Sequence, residues 1–136
     1  MIRGTCLCGA VAYEAEALSG PVVHCHCRTC QKAHSAAFAT TARVKRVDFR
    51  WLKGDEARAA IESTPGKLRH FCARCGSHLM AEWVNAERVI LRIASVDDGL
   101  DIRPTAHIWV SHAAAWDTAR DDLPRHSEGM DSPTLP

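Results

Sequence analysis

The sequence is short of the features that direct a chain to a particular surface. Its formal charge is only +1 over 136 residues, which gives no electrostatic case for nucleic acid or an anionic membrane. No apolar run approaches the roughly 18 residues of a membrane span, and Gly4 to Gly9, behind Arg3, is no signal-peptide core. A cytoplasmic protein without nucleic-acid or membrane partners is expected. Low-complexity tracts and internal linkers are missing, and 136 residues are too few for two independent cores, so one small domain is expected. No cysteine follows Cys75. That argues against methionine sulfoxide reduction, which needs a nucleophilic thiol outside the clusters described next.

Cysteine itself is plentiful. Seven cysteines fall in three clusters: Cys6-Leu-Cys8-Gly9, Cys25-His-Cys27-Arg-Thr-Cys30 and Cys72-Ala-Arg-Cys75-Gly76. In a reducing compartment such clusters read as metal ligands or redox thiols, and an odd count leaves one cysteine over in any intramolecular disulfide scheme. Zinc takes four ligands where it holds structure, and three plus an open position where it does chemistry. Seven is four plus three, so two Zn²⁺ per chain are expected, one closed and one open.

The backbone suggests the division. Cys8 and Cys75 are each followed by glycine, which adopts positive φ at no steric cost, whereas Gln31-Lys32-Ala33 after Cys30 reads as a short helix. Two like knuckles, Cys6/Cys8 and Cys72/Cys75, should clasp one zinc, leaving Cys25, Cys27 and Cys30 for the other. The rival pairing joins Cys27/Cys30 to Cys72/Cys75 as a zinc ribbon and strands three reactive thiols. A dithiol oxidoreductase using Cys27 and Cys30 is disfavoured, because zinc would mask both.

Strand signals run the length of the chain: Ala10 to Ala17, Pro21 to His24, Ala37 to Ala42, Val47 to Leu52, Lys67 to Phe71, His78 to Trp83, Arg88 to Ala94 and His107 to Val110. Asp55 to Ile61 has helix propensity but lies between strand signals and ends at the turn Ser63-Thr-Pro-Gly66, so it too is read as strand. Arg43 to Arg46 is read as a solvated turn, Arg69 as a strand-surface charge, Phe38 and Phe71 as core, and Trp109 and Trp116 as packing residues. From Asp121 the chain turns polar and proline-bearing, which predicts a mobile tail over 125–136 behind a domain of 1–124. The expected class is a mainly β fold pinned by metal.

With the clusters placed, the sequence resembles the glutathione-dependent formaldehyde-activating enzyme family, which includes the centromere protein V type. The resemblance runs from about Gly4 to Pro124. It rests on Cys6-Leu-Cys8-Gly-Ala-Val, on Cys25-His-Cys27-Arg-Thr-Cys30-Gln-Lys-Ala with Ala37-Phe38, and on Ser63-Thr-Pro-Gly. It continues through Arg69-His-Phe-Cys72-Ala-Arg-Cys75-Gly-Ser, His107-Ile-Trp109, Trp116 and Asp122-Leu-Pro. It implies an Mss4-like (β-tent) fold with two zinc ions. Cys6, Cys8, Cys72 and Cys75 map onto the structural site, and Cys25, Cys27 and Cys30 onto the site where a thiol such as glutathione binds. The chain departs from the family at His34-Ser35-Ala36, where members commonly carry a small Thr/Ser-Gly-Ser segment.

A thiol bound at the open zinc would lose its proton and add to an aldehyde, which is carbon–sulfur lyase chemistry run in either direction. Arg28 and Lys32 would offset the anionic site or meet a substrate carboxylate. Histidine is the proton carrier suited to neutral pH, and His24, His26 and His34 lie close by in sequence. His34, His26 and Arg28 are the expected catalytic residues. His26, between two ligands, should point away from them, and His34 is a candidate fourth ligand or proton shuttle. The alternative function is a non-catalytic thiol carrier or protein-binding zinc module, since fold does not fix function.

Overall fold

A computed structural model describes residues 1–97, 101–118 and 120–136. Its strands are β1 (Ile2–Thr5), β2 (Ala12–Ala15), β3 (Val23–Cys25), β4 (Ala39–Lys45), β5 (Phe49–Lys53), β6 (Arg58–Thr64), β7 (Lys67–Cys72), β8 (His78–Trp83), β9 (Arg88–Arg92) and β10 (Ala106–Ile108), with one helix, α1 (Arg28–His34). The class is mainly β, as expected. Contacts divide the chain into two compact units, Met1–Gly20 with Ala42–Asp101, and Pro21–Thr41 with Ile102–Pro136. Each is assembled from two separate stretches, which is why no linker is legible in the sequence.

In the first unit β2 lies between β1 and β5, antiparallel to both. Strands β6 to β9 form a meander in which each pairs antiparallel with the next. Val11, Tyr13, Leu79 and Leu91 are fully buried in its core, each large apolar side chain contributing about 1.5–3 kcal/mol. In the second unit β3 pairs antiparallel with the first half of β4 and parallel with β10.

The strand signals land, with differences that have physical causes. β8 has the expected bounds. β1 gives no strand signal, because its two β-branched residues, Ile2 and Thr5, are separated by Arg3 and Gly4; pairing with β2 supplies its ladder. β2 is shorter than its alternating stretch and buried throughout, as a middle strand should be; its Glu14 answers Arg3 at 3.3 Å and Arg50. Helix propensity at Asp55 to Ala57 yields a turn, and β6 starts at Arg58, because the register Arg58↔Cys72 to Thr64↔Lys67 gives the backbone its bonds on β7.

Several side-chain expectations are corrected. Arg43 to Lys45 belong to β4, so the basic run is no turn. Arg69 is 1% exposed, its Nε donating to Ser63 Oγ at 2.8 Å across the β6–β7 pair. Phe38 and Phe71 are only half-buried, and Trp116 is 69% exposed. Residues 125–136 are no free tail. The His126 N–H donates to His107 O at 2.9 Å, Trp109 N–H to Glu128 O at 2.7 Å, and Leu135 N–H to Arg125 O at 2.8 Å. Polar and proline-bearing composition, read as a mark of disorder, here accompanies backbone donors that meet acceptors, Ser132 N–H on Gly129 O at 3.0 Å among them.

Arg46 ties the β8–β9 turn to the meander. Its guanidinium donates to Ala86 O at 2.8 Å, Glu82 Oε1 at 2.9 Å and Trp83 O at 3.1 Å, while His70 Nε2 lies 2.8 Å from Glu82 Oε2. Burial alone would raise the Glu82 carboxyl, but Arg46 and then His70 outweigh it and hold the group low. Burial likewise lowers His70. Both folded values lie below the unfolded ones, so both contributions are present above the unfolded pKa and are lost as pH falls. Glu82→Gln should therefore cost about 1–2 kcal/mol at neutral pH, discounted for the exposed Arg46 face. The gap from wild type in urea unfolding should close only as pH falls below the ordinary carboxylate range and through the lowered Glu82 value.

Candidate metal centres

The first centre lies in the first unit. The sulfurs of Cys6, Cys8, Cys72 and Cys75 all lie within 4.8 Å of one another, with Cys6–Cys8 at 3.6 Å and Cys8–Cys72 at 3.8 Å. A tetrahedral ion with metal–sulfur bonds of about 2.3 Å needs sulfurs about 3.8 Å apart, so the donor set fits. The two knuckles close alike. Gly9 N–H donates to Cys6 O at 3.0 Å and Gly76 N–H to Cys72 O at 2.7 Å. Both glycines take the left-handed conformation, φ 77 and φ 80, where another residue would cost about 1–2 kcal/mol. Ser77 spans the knuckles, accepting from Leu7 N–H at 2.9 Å and lying 3.3 Å from Cys75 Sγ.

Electrostatics within this set are unequal. The Ser77 hydroxyl and backbone pull the Cys75 thiol down to about 5. At Cys8 the Ala10 N–H favours the thiolate, but the crowded sulfurs, Cys6 foremost, hold the thiol at about 11. Four thiolates at this spacing would repel one another, and a divalent cation held among them would relieve that.

The second centre lies in the second unit. Cys25 ends β3, Cys27 caps α1, accepting from Cys30 N–H at 3.3 Å, and Cys30 stands in the first helical turn. Their sulfurs also lie within 4.8 Å of one another, with Cys25–Cys30 at 3.6 Å. Crowding by Cys27 and Cys30, then burial, raises the Cys25 thiol. The sulfurs thus converge as four and three; Cys27 and Cys30 close on Cys25 and not as half of a ribbon. No histidine or carboxylate among the described residues joins the three-sulfur group.

The expected catalytic residues are placed unevenly. Arg28 is exposed at the start of α1, its Nη1 donating to Gln31 Oε1 at 2.5 Å. His34 is half-buried in the last helical turn and outside the thiol group. The helix ends at Ser35 in a left-handed conformation, φ 50 and ψ 47. Glycine is usual there, which accounts for the glycine the family resemblance leads one to expect. His26 is fully buried, pointing Nε2 at His107 Nδ1, 2.8 Å away. Burial, then His107 and Arg125, lowers it to about 4, so it is neutral at neutral pH. His24 is lowered by burial, then by His107, and its Nδ1 lies 2.8 Å from Thr40 Oγ1.

Two residues escaped sequence reasoning. Gln31, buried within α1, donates from Nε2 to His26 O at 2.6 Å and His112 O at 2.8 Å, tying the Cys25–Cys27 segment to the short 3-10 turn Val110–His112. His107 sits on β10 with Nε2 at 3.0 and 3.1 Å from the Asp121 carboxylate oxygens. The trailing His-Ile-Trp motif was the available signal for His107. Trp109 takes φ 59 and packs its half-buried ring against the Cys25–Cys30–Ala39 cluster, as expected of a packing residue.

A small β protein with a four-thiol and a three-thiol centre is the class that fold and sites define. Residues 1–112 match the family described as glutathione-dependent formaldehyde-activating enzyme, and the chain belongs to that family, whose fold is Mss4-like. Among solved structures it is similar to a Rhodobacter sphaeroides protein determined as a structural-genomics target, with 26% identity, a TM-score of 0.62, and coverage of 73% of this chain and 91% of that one. No curated protein matches. No helix among the described residues is long and apolar enough to cross a membrane.

Proposed function

We propose that this protein is a zinc-dependent enzyme of the carbon–sulfur lyase type, joining a small thiol such as glutathione to formaldehyde or a similar aldehyde and releasing it again. The observation that supports this reading is the three-sulfur centre, which no fourth histidine, cysteine or carboxylate among the described residues completes. A purely structural centre would be closed like the first. Zinc held by Cys25, Cys27 and Cys30 would supply Lewis acidity that favours the thiolate form of an incoming thiol.

The chain's own residues do the rest. Arg28 and Lys32, both exposed on α1, offset the anionic centre and attract an acidic thiol. The thiol sulfur adds to the carbonyl carbon; a carbon–sulfur bond forms, the carbonyl π bond breaks, and the proton ends on the new hydroxyl. His34, on the same helix, is the candidate to carry that proton, since buried His26 is neutral and has its Nε2 committed to His107. Calorimetry of the zinc-loaded chain with a panel of cellular thiols tests the reading. Glutathione should bind with release of about one proton, more tightly as pH rises towards the thiol pKa, and formaldehyde addition should then yield the hydroxymethyl thioether by NMR. Absence of thiol binding to zinc-loaded protein would overturn it; binding without turnover would make the protein a thiol carrier.

A further inference from the structure

Cys25, His26 and Cys27 form an extended segment, Cys25 closing β3 and Cys27 standing at φ −59, ψ 150 before the helix. Side chains alternate in extended chain, so the two sulfurs face one way and the imidazole between them faces the other. That imidazole is wholly buried and begins a chain of hydrogen bonds: His26 Nε2 to His107 Nδ1 at 2.8 Å, then His107 Nε2 to Asp121 at 3.0 Å. The chain leaves the interior, since His107 is buried while the Asp121 side chain is 46% exposed.

Direction follows from donors and acceptors. The Asp121 carboxylate only accepts, so His107 donates through Nε2–H, and a ring carrying that single proton accepts at Nδ1. His26 must then donate through Nε2–H, which leaves its buried Nδ1 without a hydrogen-bond partner, 3.9 Å from Asp117. Asp121, at the far end, thus fixes both tautomers. The backbone is held in the same place: His26 N–H donates to Ile108 O at 3.0 Å, one residue beyond His107, and Gln31 grips His26 O.

We propose that the Asp121–His107–His26 chain is a positioning clamp for the three-thiol centre, setting the geometry of Cys25 and Cys27 by fixing the residue between them. None of the three touches the reacting atoms; they act through the loop. The inference rests on the reading that Cys25, Cys27 and Cys30 hold a metal ion. Groups that orient a metal site from outside its ligands typically change metal affinity by about 10–100-fold when removed.

The test titrates the full-length apo-protein with Co²⁺ and follows sulfur-to-cobalt charge-transfer and d–d bands, then repeats with Zn²⁺ against a chelator. Wild type should take two equivalents. His107→Ala should bind one with wild-type affinity and the other about 10–100-fold more weakly, with altered d–d bands. Asp121→Ala, a surface change that spares the core, should weaken the same equivalent, and Asp121→Asn, whose amide oxygen still accepts from His107, should restore most of it. In wild type, long-range ¹⁵N correlation spectra should show His26 and His107 as Nε2–H tautomers, with the His107 pattern lost in Asp121→Ala. Two wild-type equivalents with unchanged affinity in both His107→Ala and Asp121→Ala would overturn the clamp alone. A wild-type chain that takes up one equivalent would overturn the clamp and the underlying metal reading together.

Discussion

Cys72→Ser is expected to leave the chain unfolded at room temperature and without metal at the four-thiol centre. Serine nearly matches cysteine in volume, so packing at this wholly buried position changes little. The lost term is the metal. Structural zinc contributes about 10–16 kcal/mol to small zinc domains at neutral pH, while a whole domain is stable by only about 5–15 kcal/mol. Removing one of four thiolates forfeits enough of the first to exhaust the second. Cys72 also ends β7, the strand between β6 and β8, so the knuckle and the meander should fail together. Far-ultraviolet circular dichroism and metal analysis read the outcome, and a strong chelator should bring wild type to the same state. A cooperative melt near the wild-type temperature with the metal gone would show that hydrophobic burial holds this unit by itself.

The sites were more legible than the side chains that support them, and the reason is range. A thiol knuckle is local: two cysteines and a glycine within five residues determine its shape, so Cys6–Gly9 and Cys72–Gly76 announced both the paired thiols and the turn, and the glycines take the positive φ expected. The four-plus-three division followed by arithmetic. Most strands of the meander were legible for a similar reason, since the alternation that marks each one is local. By contrast, the His26–His107 bond joins residues 81 positions apart, and it exists only because β10 pairs parallel with β3; nothing local to His107 advertises it. Arg69 looked like a surface charge because its partner Ser63 faces it only in the β6–β7 register. The end of the chain misled through composition, since prolines and polar residues mark turns as well as disorder, and what separates the two is whether acceptors such as His107 O await.

Cys27→Ser should behave in the opposite way to Cys72→Ser: folded, holding one metal instead of two, and catalytically dead. Cys27 is half-exposed and caps α1, its sulfur accepting from Cys30 N–H at 3.3 Å. Serine is among the best N-cap residues, so its hydroxyl can take over that bond and the helix keeps its start. The Cys25 and Cys30 thiols remain, 3.6 Å apart, but two thiolates without a third lose the site its affinity and its charge. Zinc as Lewis acid is worth several kcal/mol of transition-state stabilisation, so thiol–aldehyde turnover should fall by about 10³-fold, with proton release on glutathione binding lost in parallel. The melting temperature and the metal of the four-thiol centre should be retained. If Cys27→Ser unfolds as completely as Cys72→Ser, the three-thiol cluster is a second structural clamp and the lyase reading fails; if it stays folded and turns over at the wild-type rate, the chemistry lies somewhere other than this centre.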